Sequence, residues 1–106
     1  MTFNELVDKV RKIAGEKDVS DKDFLAVQVN ISDVEGGVFY VEVKDGKASV
    51  EPYEYADRNC SVTMKLDDFD KLLDGDLNPL MAFSTGKLKV EGDLGKALEF
   101  SNLLKD

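Results

Sequence analysis

The chain opens on a helical period. Thr2 and Glu5 stand at capping-box spacing, and Phe3, Leu6, Val7, Val10, Ile13 and Ala14 return on one face every three or four residues. This predicts a first helix ending at Gly15, followed by a charged connector from Glu16 to Asp23. From Phe24 the period falls to two. Leu25, Val27, Val29 and Ile31 share one face of a half-buried strand, with Ala26, Gln28, Asn30 and Ser32 on the other. Glu35-Gly36-Gly37 reverses the chain into a second strand, Val38 to Val43, and Asp45-Gly46 signals a tight hairpin into a third, Ala48 to Tyr53. These three strands form an antiparallel meander.

A fourth strand, Cys60 to Met64, sets Cys60, Val62 and Met64 against Ser61, Thr63 and Lys65, and a fifth, Lys87 to Glu91, alternates Leu88 and Val90 with charged residues. One face of the sheet is thus apolar and the other polar, so helices are expected to cover one side and water the other. Between these strands lie a helix from Asp67 to Asp74 and a shorter one that Asn78 caps and Pro79 begins. Asp93 caps a final helix, Leu94 to Lys105. The element order predicts one α+β domain over residues 1–106, two layers deep, with a five-stranded, mostly antiparallel sheet covered on one face by helices.

The last helix carries more apolar surface than this architecture requires. On a wheel of about 100° per residue, Leu94, Ala97, Leu98, Phe100, Leu103 and Leu104 sweep roughly 220°, whereas a helix lying on a sheet needs a stripe of little more than 100°. The same surplus runs through Phe69, Leu72, Leu73, Leu77, Leu80, Met81, Ala82 and Phe83. Each could simply fill the core; together they suggest something further to be covered.

From Ser61 to Lys105 the chain resembles the sterol carrier protein type 2 family. The resemblance rests on Val62-Thr63-Met64 running into Asp68-Phe69, on Gly75-Asp76-Leu77-Asn78-Pro79, and on Ala82-Phe83. It extends through Gly86-Lys87-Leu88-Lys89-Val90-Glu91-Gly92-Asp93-Leu94-Gly95, with Ala97-Leu98 and Leu103 beyond. In the N-terminal half the match is one of layout. Two departures stand out: there is no Trp in the second strand, and Asp57-Arg58-Asn59-Cys60 makes a longer approach to the fourth strand. The resemblance is to stand-alone microbial members. It implies an internal apolar cavity between the sheet and the later helices that takes a fatty acyl, isoprenoid or sterol-like ligand. Carried over by position, it implies Phe69, Leu72, Leu73, Leu77, Leu80, Met81, Phe83, Leu98, Phe100, Leu103 and Leu104 as lining or lid residues.

Charge and chemistry narrow the picture. The net charge of -8 and the absence of a basic run argue against nucleic acid and allow at most transient membrane contact. A single cysteine fits a reducing, cytoplasmic setting, and no segment reads as a signal or a membrane span. The chain has no histidine, which removes the usual general base, and Cys60 falls on the buried face of a strand. Asp74-Gly75-Asp76-Leu77-Asn78 fails as a calcium loop because Pro79 occupies the position that needs glycine. No catalytic residue, metal or cofactor is expected. The protein reads as a monomeric or weakly dimeric lipid carrier, with a protein-docking module using the same apolar surface as the alternative.

Overall fold

The computed structural model describes residues 1–104. Nine elements follow in order: α1 (Phe3–Glu16), β1 (Leu25–Ile31), β2 (Val38–Lys44), β3 (Lys47–Glu51), β4 (Cys60–Met64), α2 (Leu66–Leu73), α3 (Pro79–Ser84), β5 (Lys89–Gly92) and α4 (Leu94–Leu104). They form the expected α+β architecture, a single five-stranded sheet ordered β3-β2-β1-β4-β5. Its pairings are antiparallel except for β1 with β4, which run parallel. Register aligns the apolar rows across the sheet: Val50, Val41, Val27 and Cys60 lie side by side, as do Phe39, Val29, Val62 and Val90.

Element limits move by a residue or two, for local reasons. α1 runs through Gly15 to Glu16, and the chain leaves the helix at Lys17, whose N–H donates to the Ala14 carbonyl. Thr2 and Glu5 form the anticipated capping box. α2 begins one residue early, at Leu66, because its first free N–H is capped from a distance by Asp33 Oδ1 at 2.9 Å. β3 ends at Glu51 rather than Tyr53, and β5 pairs from Lys89 rather than Lys87. Lys105, the expected end of the last helix, lies outside the described residues.

α2 and α3 stop in the same way. Asp76 N–H donates to Lys71 O and Gly75 N–H to Leu72 O; Lys87 N–H donates to Ala82 O and Gly86 N–H to Phe83 O. Both glycines have positive φ, 79° and 80°, the left-handed conformation this termination requires.

The outer face of the sheet corrects in part the expectation that it would be wet: it is covered over β1 and the start of β4, while Lys44, Lys47, Ser49, Lys89 and Glu91 are exposed. β3 lies at one edge, yet the next strand, β4, pairs with β1, so residues 52–59 must cross β2 and β1 to reach it. They do so on the face away from the helices. Tyr55 meets Tyr40 edge-on at 5.0 Å between ring centroids, its N–H donates to Gln28 Oε1, and its hydroxyl donates to the Glu42 carboxylate. Asn59 joins the backbone of Ala26 twice, and Arg58 Nε donates to Ser61 Oγ. Ala26, Gln28 and Ser61, read as solvent-facing, are buried beneath this strap.

Candidate functional site

The inner face of the sheet carries the helices. α1 sends Leu6, Val7, Val10, Ile13 and Ala14 into the core, and Arg11 Nε reaches the Val50 carbonyl on β3. Lys9 Nζ sits 2.6 Å from both Asp70 Oδ1 and Asp74 Oδ1, clasping α1 to α2. Asp70 and Asp74 thus have a structural role. No three His, Cys, Asp or Glu among the described residues converge as a metal site.

Under α2 and α4 the layer is aromatic. Phe69 stacks on Phe39 at 5.8 Å and meets Phe100 at 6.5 Å, while Phe3 approaches Phe39 from α1 at 6.1 Å. Leu72, Leu73, Leu104 and Met64 are buried in the same cluster. Ser101 is the buried hydroxyl on α4, and it donates to the Leu98 carbonyl of its own helix at 3.0 Å. No polar side-chain atom among the described residues is buried without a partner.

The eleven residues singled out in the sequence therefore fall into three sets. Phe69, Leu72, Leu73, Phe100 and Leu104 are buried together in this layer; Leu77 and Leu103 pack against it, partly buried, and Leu98 is partly buried on α4. Leu80, Met81 and Phe83 stand in solvent, exposed by 60%, 62% and 43%. α3 is too short to present two faces to the core, and its one buried residue is Ala82. Phe39 and Met64 are not singled out by the sequence as lining residues, although Met64 falls on the apolar face of the fourth strand. Their positions on the apolar faces of β2 and β4 could have indicated them, since both alternate in step with neighbours already placed inside.

A cleft of about 420 Å³ opens where the C-terminal half of α4 meets the α1–β1 connector. Leu25, Val43 and Leu103 give it an apolar floor, and Lys17, Asp18, Lys22, Glu99 and Asn102 a polar rim. Leu25 and Val43 are register partners on β1 and β2, so the floor is a continuation of the sheet's inner face. Cys60 lies elsewhere in the core. Burial first, and then the negative Asp93, pushes its thiol up to about 11, which leaves it protonated and inert.

Comparison with known proteins places this arrangement. The sequence profile of the SCP-2 sterol transfer family matches residues 3–105. Human sterol carrier protein 2 is 41% identical over 76 residues, which is 69% of this chain and 14% of the human protein, so the chain spans a small part of that relative's length. Sterol carrier protein 2 of Arabidopsis thaliana is 34% identical over 89 residues, covering 80% of this chain and 72% of that protein. The solution structure of palmitated SCP2L2 from Aedes aegypti superposes with a TM-score of 0.73 at 22% identity, over 100% of this chain and 96% of that one, a likeness of fold. With the profile covering nearly every residue, the chain belongs to the SCP-2 sterol transfer family.

Proposed function

We propose that this protein binds an apolar, lipid-like molecule, a fatty acyl, isoprenoid or sterol-like chain, between the sheet and its C-terminal helices, and carries it or presents it to another protein. The observation that carries this reading is the chemistry of the layer beneath α4. Phe39, Phe69, Phe100, Leu72, Leu73 and Leu104 line it, and its one buried hydroxyl is already taken by its own helix. Such a surface offers a polar substrate nothing to bond and an apolar chain a full lining. The palmitated state of the mosquito relative points to the same class of cargo.

The cleft at the end of α4 serves as the mouth. A chain threading past Leu25, Val43 and Leu103 reaches the aromatic layer by lifting α4 from the sheet. A rigid void of about 300 Å³ would cost on the order of 7 kcal/mol, comparable to the stability of a whole domain, so without ligand the layer closes on its own rings. At about 0.8 kcal/mol per buried CH₂, a dozen methylenes supply about 10 kcal/mol towards opening it. Leu80, Met81 and Phe83 act as lid residues outside the buried layer. The protein works without chemistry of its own, as a monomer or weak homodimer in a reducing, cytoplasmic setting.

Native mass spectrometry of the purified protein, set against its denatured mass, tests the reading. The expected result is a bound lipid lost on denaturation, or a melting temperature that rises when palmitate is added to the empty protein. Finding neither overturns it.

A further inference from the structure

α3 is inside out. At about 100° per residue, Leu80, Met81 and Phe83 span an arc of about 160° centred opposite Ala82. Ala82 is the buried residue, so the small side chain faces the core and the three large apolar ones face solvent. This orientation is fixed from both ends: Asn78 Oδ1 accepts the N–H groups of Leu80 and Met81, and the Ala82 carbonyl accepts those of Lys87 and Leu88. The exposed side chains are therefore not the product of a fraying segment.

The charge around them is unlike that of the rest of the molecule. The chain carries 22 acidic residues against 14 basic ones, yet none of the acids falls between Asp76 and Glu91, its longest stretch without one. That stretch contains α3, Lys87 and Lys89. Directly beyond α3 a cleft of about 310 Å³ is lined by Lys65, Lys87 and Lys89 with Ser32, Thr63 and Thr85, Asp68 being its acid. None of the ion pairs among the described residues engages these three lysines. The whole of the acidic excess lies outside this stretch, and beyond about 8–10 Å salt screens such exposed charges.

We infer that α3 and its flanking lysines form a docking surface for an anionic lipid bilayer. Leu80, Met81 and Phe83 enter the boundary between headgroups and acyl chains, while Lys65, Lys87 and Lys89 meet the phosphates beside them. Apolar side chains next to a cleft lined by cations suit that surface, in which acyl chains lie beneath anionic headgroups. The inference stands on α3 and its surroundings and assumes nothing about the cargo.

Sedimentation of the full chain with phosphatidylcholine vesicles, with and without phosphatidylglycerol, tests it. The chain is expected to pellet with the phosphatidylglycerol vesicles and to be released by high salt. Leu80→Gln with Met81→Gln, which changes only exposed side chains, is expected to weaken binding at least about tenfold by removing the inserted surface. Lys87→Glu with Lys89→Glu is expected to abolish the preference for phosphatidylglycerol, a loss of at least about tenfold. Palmitate-induced thermal shifts, measured on the wild type and on the lysine pair, separate docking from cargo. A chain that takes up palmitate and ignores vesicles overturns the docking surface alone, and one that pellets but never takes up palmitate overturns the carrier reading alone. Vesicle binding unchanged in both variants overturns the assignment to α3. So does gel filtration in which the wild type is a dimer and the glutamine pair a monomer, because the exposed face of α3 is then covered by a second copy.

Discussion

α1 and α3 use apolar residues in opposite ways. α1 buries Leu6, Val7, Val10, Ile13 and Ala14 against the sheet and turns its charged residues outward; α3 buries Ala82 and turns out Leu80, Met81 and Phe83. The first arrangement is what folding alone favours, since each large side chain moved from water contributes about 1.5–3 kcal/mol. The second forgoes that contribution at three neighbouring positions, in an orientation that hydrogen bonds hold at both ends of the helix. Surface held against the hydrophobic effect in this way is surface kept for something outside the molecule.

The sharpest way to break the comparison uses two phenylalanines from the candidate lining. Phe69 is buried between Phe39 and Phe100, so Phe69→Ala removes its transfer energy and leaves a cavity, for an expected loss of about 3–5 kcal/mol. Phe83 is 43% exposed, and Phe83→Ala is expected to change stability by no more than about 0.5–1 kcal/mol. Urea unfolding of the two variants measures both. Equal losses would mean that Phe83 packs as tightly as the buried layer, and α3 would no longer stand apart as a helix that turns its large apolar residues outward.

That these two residues were indistinguishable in sequence marks where its legibility ends. The capping box at Thr2, the Asp45-Gly46 hairpin and the Asn78-Pro79 helix start are local signals, set by hydrogen bonds within a few residues, and each appears where it was expected. Phe69 and Phe83 are both aromatic residues in short helices, and what separates them is the tertiary direction of the helix. For α3 that direction is set by bonds at its two ends and not by its apolar pattern. The strap over β1 and β2 was hidden for a similar reason. The long approach at Asp57-Arg58-Asn59 was visible, but its path depends on β4 pairing with β1, a contact between distant segments.

That strap gives a second, smaller test, because it extends the packed region to the outer face. The hydrogen bond from Tyr55 to the Glu42 carboxylate, with burial and that negative charge, pushes the phenol up from 10.0 to about 12. A raised folded value means that the neutral phenol is the stabilised form. Its contribution is complete below pH 10 and is lost as pH rises towards 12. Tyr55→Phe is therefore expected to lose about 1 kcal/mol at neutral pH, with the gap to wild type closing through that window. Cys60 also has a raised value, but it is present in both proteins and cancels from the difference. A gap that does not vary with pH would remove the strap's hydrogen bond from the account.

The smallest effect concerns lysines. Lys9 on α1 is held by Asp70 and Asp74; burial lowers its affinity for a proton, and the two carboxylates more than restore it. All three groups remain partly in water, so Lys9→Met is expected to lose only about 0.5–1 kcal/mol, and less at high salt. Lys87, flanking α3, lies in no ion pair among the described residues, and Lys87→Met is expected to leave stability within about 0.5 kcal/mol of wild type at any salt concentration. Thermal unfolding at low and high salt separates the two. A salt-sensitive loss at Lys87 would show that its charge already serves the fold, which would leave less of it for a partner. A loss confined to Lys9 keeps the polar residues of α1 with the fold and those around α3 outside it, matching how the two helices place their apolar ones.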